Sequence, residues 1–210
     1  MIHVFIADDH AIVRQGLKQI VSDADDMVVI GQAENGSDAL RLLRQVTPDV
    51  LILDIAMPGK SGVEVLNQIK QEKPKLPVLI LSMYPEEQYA VRLFKAGAAG
   101  YLVKESAPEQ LVSAIRIVAQ GNRFISPIVA ELMANELQRD SDLPPHHALS
   151  DREFQTLRLI ASGKTVSEIA DTLALSVKTI STYRARLLDK MELKNNAELM
   201  HYAIKHRLTQ

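Results

Sequence analysis

From residue 3 to about residue 120, short apolar, β-branched runs alternate with longer segments in which apolar residues recur every three or four positions. Five such pairs follow one another, the pattern of βαβ units around a parallel sheet covered on both faces. The expected strands are residues 3–7, 28–33, 50–53, 77–81 and 100–103. The expected helices are 12–22, 36–45, 62–72, 86–96 and 108–120. Pro48, Pro58, Gly59, Pro74, Gly97 and Gly121 fall between these elements and Pro77 and Gly100 open strands, where chain-breaking residues belong.

After Gly121 the pattern changes. Residues 127–137 have the period of one amphipathic helix, and 138–148 are polar with a Pro pair, as linkers often are. The remainder has no β-rich run and four segments of helical period, at 151–162, 166–173, 177–191 and 197–207. The expectation is an α/β domain over 1–121, a linker with one helix over 122–148, and a small all-α domain over 149–210.

At 210 residues, 47% of them hydrophobic, the chain is long enough to bury two small cores. It has no cysteine, which excludes disulfides and thiolate metal or redox sites and fits a reducing compartment. The first residues lack a basic stretch before a long apolar run, and no segment approaches the roughly 18 apolar residues of a membrane span. A cytoplasmic protein without membrane contact is expected. Residues 1–149 carry 14 basic and 19 acidic groups, and residues 150–210 carry 10 and 7, so the C-terminal part is net basic. That balance suits a module that meets a polyanion.

In an open parallel sheet, functional groups collect at the carboxyl ends of strands. Here the first run ends in Asp8-Asp9, the third in Asp54, the fourth in Ser82 and the fifth in Lys104. Three carboxylates held together raise one another's pKa unless a cation sits among them, and an all-oxygen set suits Mg²⁺. A carboxylate becomes a nucleophile toward phosphorus once such cations neutralise the phosphoryl oxygens. Asp54, central in the set, is the expected acceptor, with Lys104 as a fixed cation and Ser82 as a hydrogen-bond donor. His10 is read as polar surface without a role.

The ordered set comprises Asp8-Asp9, then DIAMPGKSG over 54–62, then Ser82, then Lys104 preceded by Gly100-Tyr101-Leu102-Val103. It resembles the receiver domain of bacterial two-component response regulators over about residues 1–120. The resemblance implies a flavodoxin-like fold with strand order 2-1-3-4-5. It implies that Asp54 takes a phosphoryl group from a phosphohistidine of a sensor histidine kinase, and that Asp8, Asp9, Asp54 and the Ala56 carbonyl hold Mg²⁺. Lys104 would pair with the phosphoryl group, Ser82 would swing toward it, and Tyr101 would rotate inward. Two positions depart from the common pattern. Glu105 follows the lysine where proline is frequent, so a trans bond is expected there, and Ser82 replaces the commoner threonine.

In the C-terminal part, 166–180 reads as two helices around a turn near 174–176, with Ser176 as N-cap of the second. On a helical wheel Ile180, Leu187 and Met191 form a buried stripe, flanked by Tyr183 and Leu188. Lys178, Thr179, Ser181, Thr182, Ala185, Arg186 and Lys190 are the candidate DNA contacts, small and basic groups suited to a major groove. Arg184 lies nearer the stripe and ranks below Arg186. Residues 149–191, with Leu149-Ser150 opening the segment, Gly163, and Val177-Lys178-Thr179-Ile180-Ser181, resemble the helix-turn-helix domain of the LuxR/NarL/FixJ group, and the match continues through 195–208. Together the two resemblances imply a regulator that binds double-stranded promoter DNA and forms a homodimer when phosphorylated.

Two enzyme readings are weaker. An aspartyl-phosphate phosphatase commonly has an acid two residues after its nucleophile, and that position is Ala56, so no more than slow self-dephosphorylation is expected. A dinucleotide enzyme needs a Gly-rich turn after the first strand, where this chain has DDHAIVRQG.

Overall fold

A computed structural model of the chain describes residues 1–138 and 144–208. Contacts divide it into two units, 1–138 and 139–210. In the first, β1 (Ile2–Ala7), β2 (Met27–Ala33), β3 (Val50–Asp54), β4 (Val78–Ser82) and β5 (Gly100–Val103) form one sheet in the order β2-β1-β3-β4-β5. Every neighbouring pair is parallel. The central strands β3 and β4 are buried at every position, which is why they read as continuous apolar runs and not as alternating ones. The expected receiver fold and strand order are observed.

Between the strands run α1 (Ala11–Ser22), α2 (Gly36–Leu43), α3 (Gly62–Glu72), α4 (Glu86–Lys95) and α5 (Ala107–Ala119). Leu17 and Val21 of α1 and Leu111, Ile115 and Val118 of α5 pack on Val4, Ile6, Val50, Ile52, Leu79 and Leu81. Alternation along the strands turns Phe5, Leu51, Leu53 and Ile80 to the opposite face. There α2, α3 and α4 lie against β2, β3 and β5. The helix starts follow from local chemistry: Asn35 caps α2, and Ser61 caps α3 in a reciprocal box with Glu64.

The stretch expected as linker begins later than 122. Phe124 bridges to Gly100 beside β5, and α6 (Pro127–Gln138) packs on α4, burying Val129. Ser126 Oγ hydrogen-bonds Glu86 Oε2 at the start of α4. Residues 122–138 therefore belong to the first unit; their apolar side chains have a surface to cover. Of the polar stretch expected at 138–148, residues 139–143 lie outside the described residues.

The second unit contains α7 (Asp151–Ala161), α8 (Val166–Leu173), α9 (Val177–Lys190) and α10 (Asn196–Lys205), preceded by a short 3-10 turn at Pro145–Ala148. Capping boxes start α7 (Ser150 with Glu153) and α8 (Thr165 with Glu168), while Ser176 and Asn195 cap α9 and α10. Phe154, Leu157, Ile160, Ile169, Ile180, Leu187 and Leu199 are among its buried residues. Among the described residues no helix is long and apolar enough to cross a membrane.

Candidate functional site

The register of the sheet aligns the rim. Ala7 pairs with Leu53, Asp54 with Leu81, and Ser82 with Val103, so Asp8, Asp54, Ser82 and Lys104 all fall at the carboxyl rim, within two residues of one level. Asp8, Asp54 and Ser82 are buried, at 1%, 0% and 0% exposure. The Lys104 side chain is only 6% exposed, and its Nζ lies 2.7 Å from Asp8 Oδ2 and 2.8 Å from Asp54 Oδ2. The contact to Asp54 is a hydrogen bond. That to Asp8 is an ion pair, and Asp9 Oδ1 is likewise a buried oxygen met only by the His10 ring nitrogen.

Asp54 Oδ1 accepts the Ala56 backbone N–H at 3.0 Å, which fixes the carboxylate over the loop that follows β3. Gly62 lets α3 start directly against this segment: a Cβ there would stand 2.1 Å from the Asp54 carbonyl oxygen. Burial pushes the Asp54 carboxyl above its ordinary pKa, outweighing Lys104 and the Ala56 N–H, which pull it down. Burial also acts to lower Lys104, but the Asp54 and Asp8 carboxylates outweigh it and hold its pKa up. Lys104 is thus held as a cation, one ammonium shared by two carboxyl groups.

That sharing, together with the two buried oxygens, fits a divalent cation. Donor atoms of Asp8, Asp9, His10 and Asp54 all lie within 4.8 Å of one another. Three are carboxylate oxygens, the chemistry Mg²⁺ takes. His10, read from the sequence as mere surface, is brought to this cluster: its Nδ1 stands 2.8 Å from Asp9 Oδ1 and its backbone N–H donates to Asp8 Oδ1 at 2.8 Å. Its adjacency to Asp8-Asp9 was the available signal.

Ser82 and Tyr101 meet through a residue the sequence reading did not single out. Tyr84 N–H donates to Ser82 Oγ at 3.0 Å, and Tyr101 Oη–H donates to the Tyr84 carbonyl at 2.8 Å. Tyr101, expected to rotate inward, already is inward at 1% exposure. The described backbone contains no cis peptide bond, as Glu105 after Lys104 led one to expect.

On the second unit, α8, a turn with Ala174 in the left-handed region (φ 51°), and α9 make a helix-turn-helix. Ile180, Leu187 and Met191 are buried, while Lys178, Ser181, Thr182, Ala185 and Arg186 are exposed and Thr179 is half-buried. Thr179 N–H and hydroxyl both engage Ser176 Oγ, and Thr182 Oγ1 donates to the Lys178 carbonyl, so these hydroxyls are already oriented along the helix. Arg184 Nε donates to Asn196 Oδ1 at 2.6 Å, at the start of α10. Lys190 is exposed as well, and its Nζ pairs with the buried Glu153 at 2.8 Å, which ties α9 to α7. A wheel drawn on α9 alone has no view of that partner.

The chain matches known proteins over both units. Residues 4–116 match the family described as response regulator receiver domain, and residues 147–203 match bacterial regulatory proteins of the luxR family. It is 38% identical to the response regulator GacA of Pseudomonas aeruginosa over 98% of this chain and 97% of that one. It is 37% identical to the response regulator UvrY of Escherichia coli K12, covering 99% and 96%. Among solved structures, the RcsB–DNA complex aligns with TM-score 0.60 at 29% identity, covering 96% of each chain. RcsB of Salmonella enterica serovar Typhimurium, bound to promoter rprA with the phosphomimetic BeF3⁻, aligns with TM-score 0.66 at 28% identity, covering 96% and 98%. With a receiver and a luxR-type helix-turn-helix matched in one chain and relatives aligned almost end to end, this protein belongs to the two-component response regulators of the NarL/FixJ class.

Proposed function

We propose that this chain is a cytoplasmic transcription regulator switched by phosphorylation of Asp54. The observation that carries the reading is the Lys104 ammonium seated between Asp8 and Asp54 on a buried rim, in a chain that also carries a helix-turn-helix. A sensor histidine kinase supplies the phosphoryl group. The P–N bond of its phosphohistidine breaks as a P–O bond to an Asp54 carboxylate oxygen forms, and the histidine leaves with the electron pair. Asp8, Asp9, Asp54 and the Ala56 carbonyl would hold Mg²⁺, which supplies neutralisation of charge on the phosphoryl oxygens. Lys104 does the same from the protein side.

The acyl phosphate adds about two negative charges and three acceptor oxygens where Lys104 already is. Ser82 Oγ turning to donate to it gives up the Tyr84 N–H, and Tyr84 is also the acceptor for Tyr101. The rearrangement therefore passes into the loop before α4. Its output is a homodimer that sets two α9 helices on pseudo-palindromic half-sites of double-stranded promoter DNA. Structures of RcsB dimers on DNA support this reading by analogy. Lys178, Thr179, Ser181, Thr182, Ala185 and Arg186 face the groove; Lys190 stays with Glu153. Turnover is limited to slow self-dephosphorylation.

Electrophoretic mobility and light scattering, with and without a small-molecule phosphodonor plus Mg²⁺, test the switch on wild type and Asp54→Asn, using DNA selected from genomic fragments. Donor-dependent dimerisation and tighter DNA binding, both lost in Asp54→Asn, are expected. Equal DNA binding by both proteins in both conditions would mean the receiver acts without phosphorylation.

A further inference from the structure

His10 occupies the N-cap position of α1, yet its side chain makes no cap hydrogen bond. At that position Ser, Thr, Asp or Asn would accept a free backbone N–H of the first turn. The His10 backbone is extended (φ −84°, ψ 108°), and its N–H is anchored on Asp8 Oδ1 at 2.8 Å. This geometry carries the imidazole over the carboxylates instead of over the helix end. Nδ1 comes to 2.8 Å from Asp9 Oδ1 and 3.4 Å from Asp8 Oδ1, with the ring 59% exposed to solvent.

The donor spacing is close to that of a single coordination shell. At bond lengths of about 2.1 Å, neighbouring donors of an octahedron stand roughly 3 Å apart and opposite ones roughly 4 Å apart. The four donors of Asp8, Asp9, His10 and Asp54 fall within 4.8 Å of one another, one of them nitrogen. Two of the carboxylate oxygens are buried and meet only charged or ring nitrogens, Asp8 Oδ2 the Lys104 ammonium at 2.7 Å and Asp9 Oδ1 the His10 ring at 2.8 Å. Imidazole is a poor ligand for hard Mg²⁺ and a better one for first-row transition ions, Mn²⁺ the weakest binder among them.

We propose that His10 is a metal-selectivity residue of the phosphorylation site: its Nδ1 joins the Asp8, Asp9 and Asp54 carboxylates as a direct ligand when Mn²⁺ enters, and stays out of the shell when Mg²⁺ does. The proposal rests on the reading of the acidic rim as a divalent-cation site. The site then takes either ion, and the imidazole raises its preference for the transition ion. The nitrogen reaches the ion from the solvent side, so its presence does not require the buried carboxylates to move.

The test uses the full chain, as wild type, His10→Gln and Asp9→Asn, with Mg²⁺ and Mn²⁺ each titrated by calorimetry. Electron spin-echo spectroscopy of the Mn²⁺-loaded protein supplies a direct signature, nitrogen modulation from a coordinated imidazole. Wild type is expected to show that modulation and His10→Gln to lack it. Mn²⁺ affinity should fall about tenfold in His10→Gln, the lower end of what loss of a site-organising group costs, while Mg²⁺ affinity changes by less than about twofold. Absence of nitrogen modulation in wild type, or an equal loss for both ions in His10→Gln, overturns the proposal. Asp9→Asn separates the two levels: if it binds both ions as tightly as wild type, the acidic rim is not the cation site and the underlying reading fails.

Discussion

Lys104 and Asp54, 50 residues apart in the chain, meet at 2.8 Å on a rim from which water is almost wholly excluded. Two carboxylates share that one ammonium, since Asp8 lies 2.7 Å from the same nitrogen. Lys104→Met removes the charge and keeps much of the stem. Removing one partner of a buried pair typically costs about 3 to 5 kcal/mol, and a divalent cation replaces part of the missing charge. The variant is expected to melt below wild type in EDTA and to gain more from added Mg²⁺ than wild type does. Differential scanning fluorimetry with and without Mg²⁺ reads this, and an equal Mg²⁺ effect on both proteins would contradict the shared-cation picture.

Glycines at two positions should respond in opposite directions. A Cβ on Gly62 collides with the Asp54 carbonyl, whereas one on Gly16, in the middle of α1, meets nothing within 4 Å. Gly62→Ala is expected to lose about 1 to 3 kcal/mol to overpacking and to accept phosphate poorly, because the backbone that must shift carries Asp54. Gly16→Ala should gain up to about 1 kcal/mol from helix propensity. Urea denaturation of the three proteins ranks them.

On α9, Lys178 and Arg186 are exposed cations while Lys190 is held by Glu153. A side chain that neutralises one DNA phosphate steepens the fall of log affinity with log salt by about 1. Lys178→Ala and Arg186→Ala are therefore expected to flatten that slope, and Lys190→Ala to leave it unchanged. Fluorescence anisotropy across a salt series gives the slopes. A flattened slope in Lys190→Ala would return that residue to the DNA interface.

The Glu153–Lys190 pair also makes a pH prediction. Burial pushes the Glu153 carboxyl up, but Lys190 and the Ser150 N–H and hydroxyl more than offset it and its pKa is held below the usual carboxylate value. A carboxyl depressed in the folded state contributes stability that is present above its unfolded pKa and lost as pH falls through the folded one. Amide hydrogen exchange in α7 and α9 should therefore accelerate as pH falls below about 4.3, the ordinary Glu value, after correction for intrinsic exchange. In Glu153→Gln that acid-dependent component should be missing; if it persists, another group carries it.

How far the chain could be read in advance follows from the range of the interactions involved. The five strands and most helix bounds were legible because burial on both faces makes β3 and β4 continuous apolar runs, and because a cap such as Ser176 acts on backbone within three residues; the strand order came with the resemblance to receiver domains. The rim residues were legible as well, since strand ends and switch points follow from topology. Tertiary structure alone decided which groups meet. It brought α6 onto α4, paired Lys190 with Glu153 37 residues away, joined Ser82 to Tyr101 through Tyr84, and set the exposed His10 ring against Asp9. Periodicity records whether a side chain is buried but not what it touches, because contact across elements depends on sheet register and helix packing that no local pattern contains.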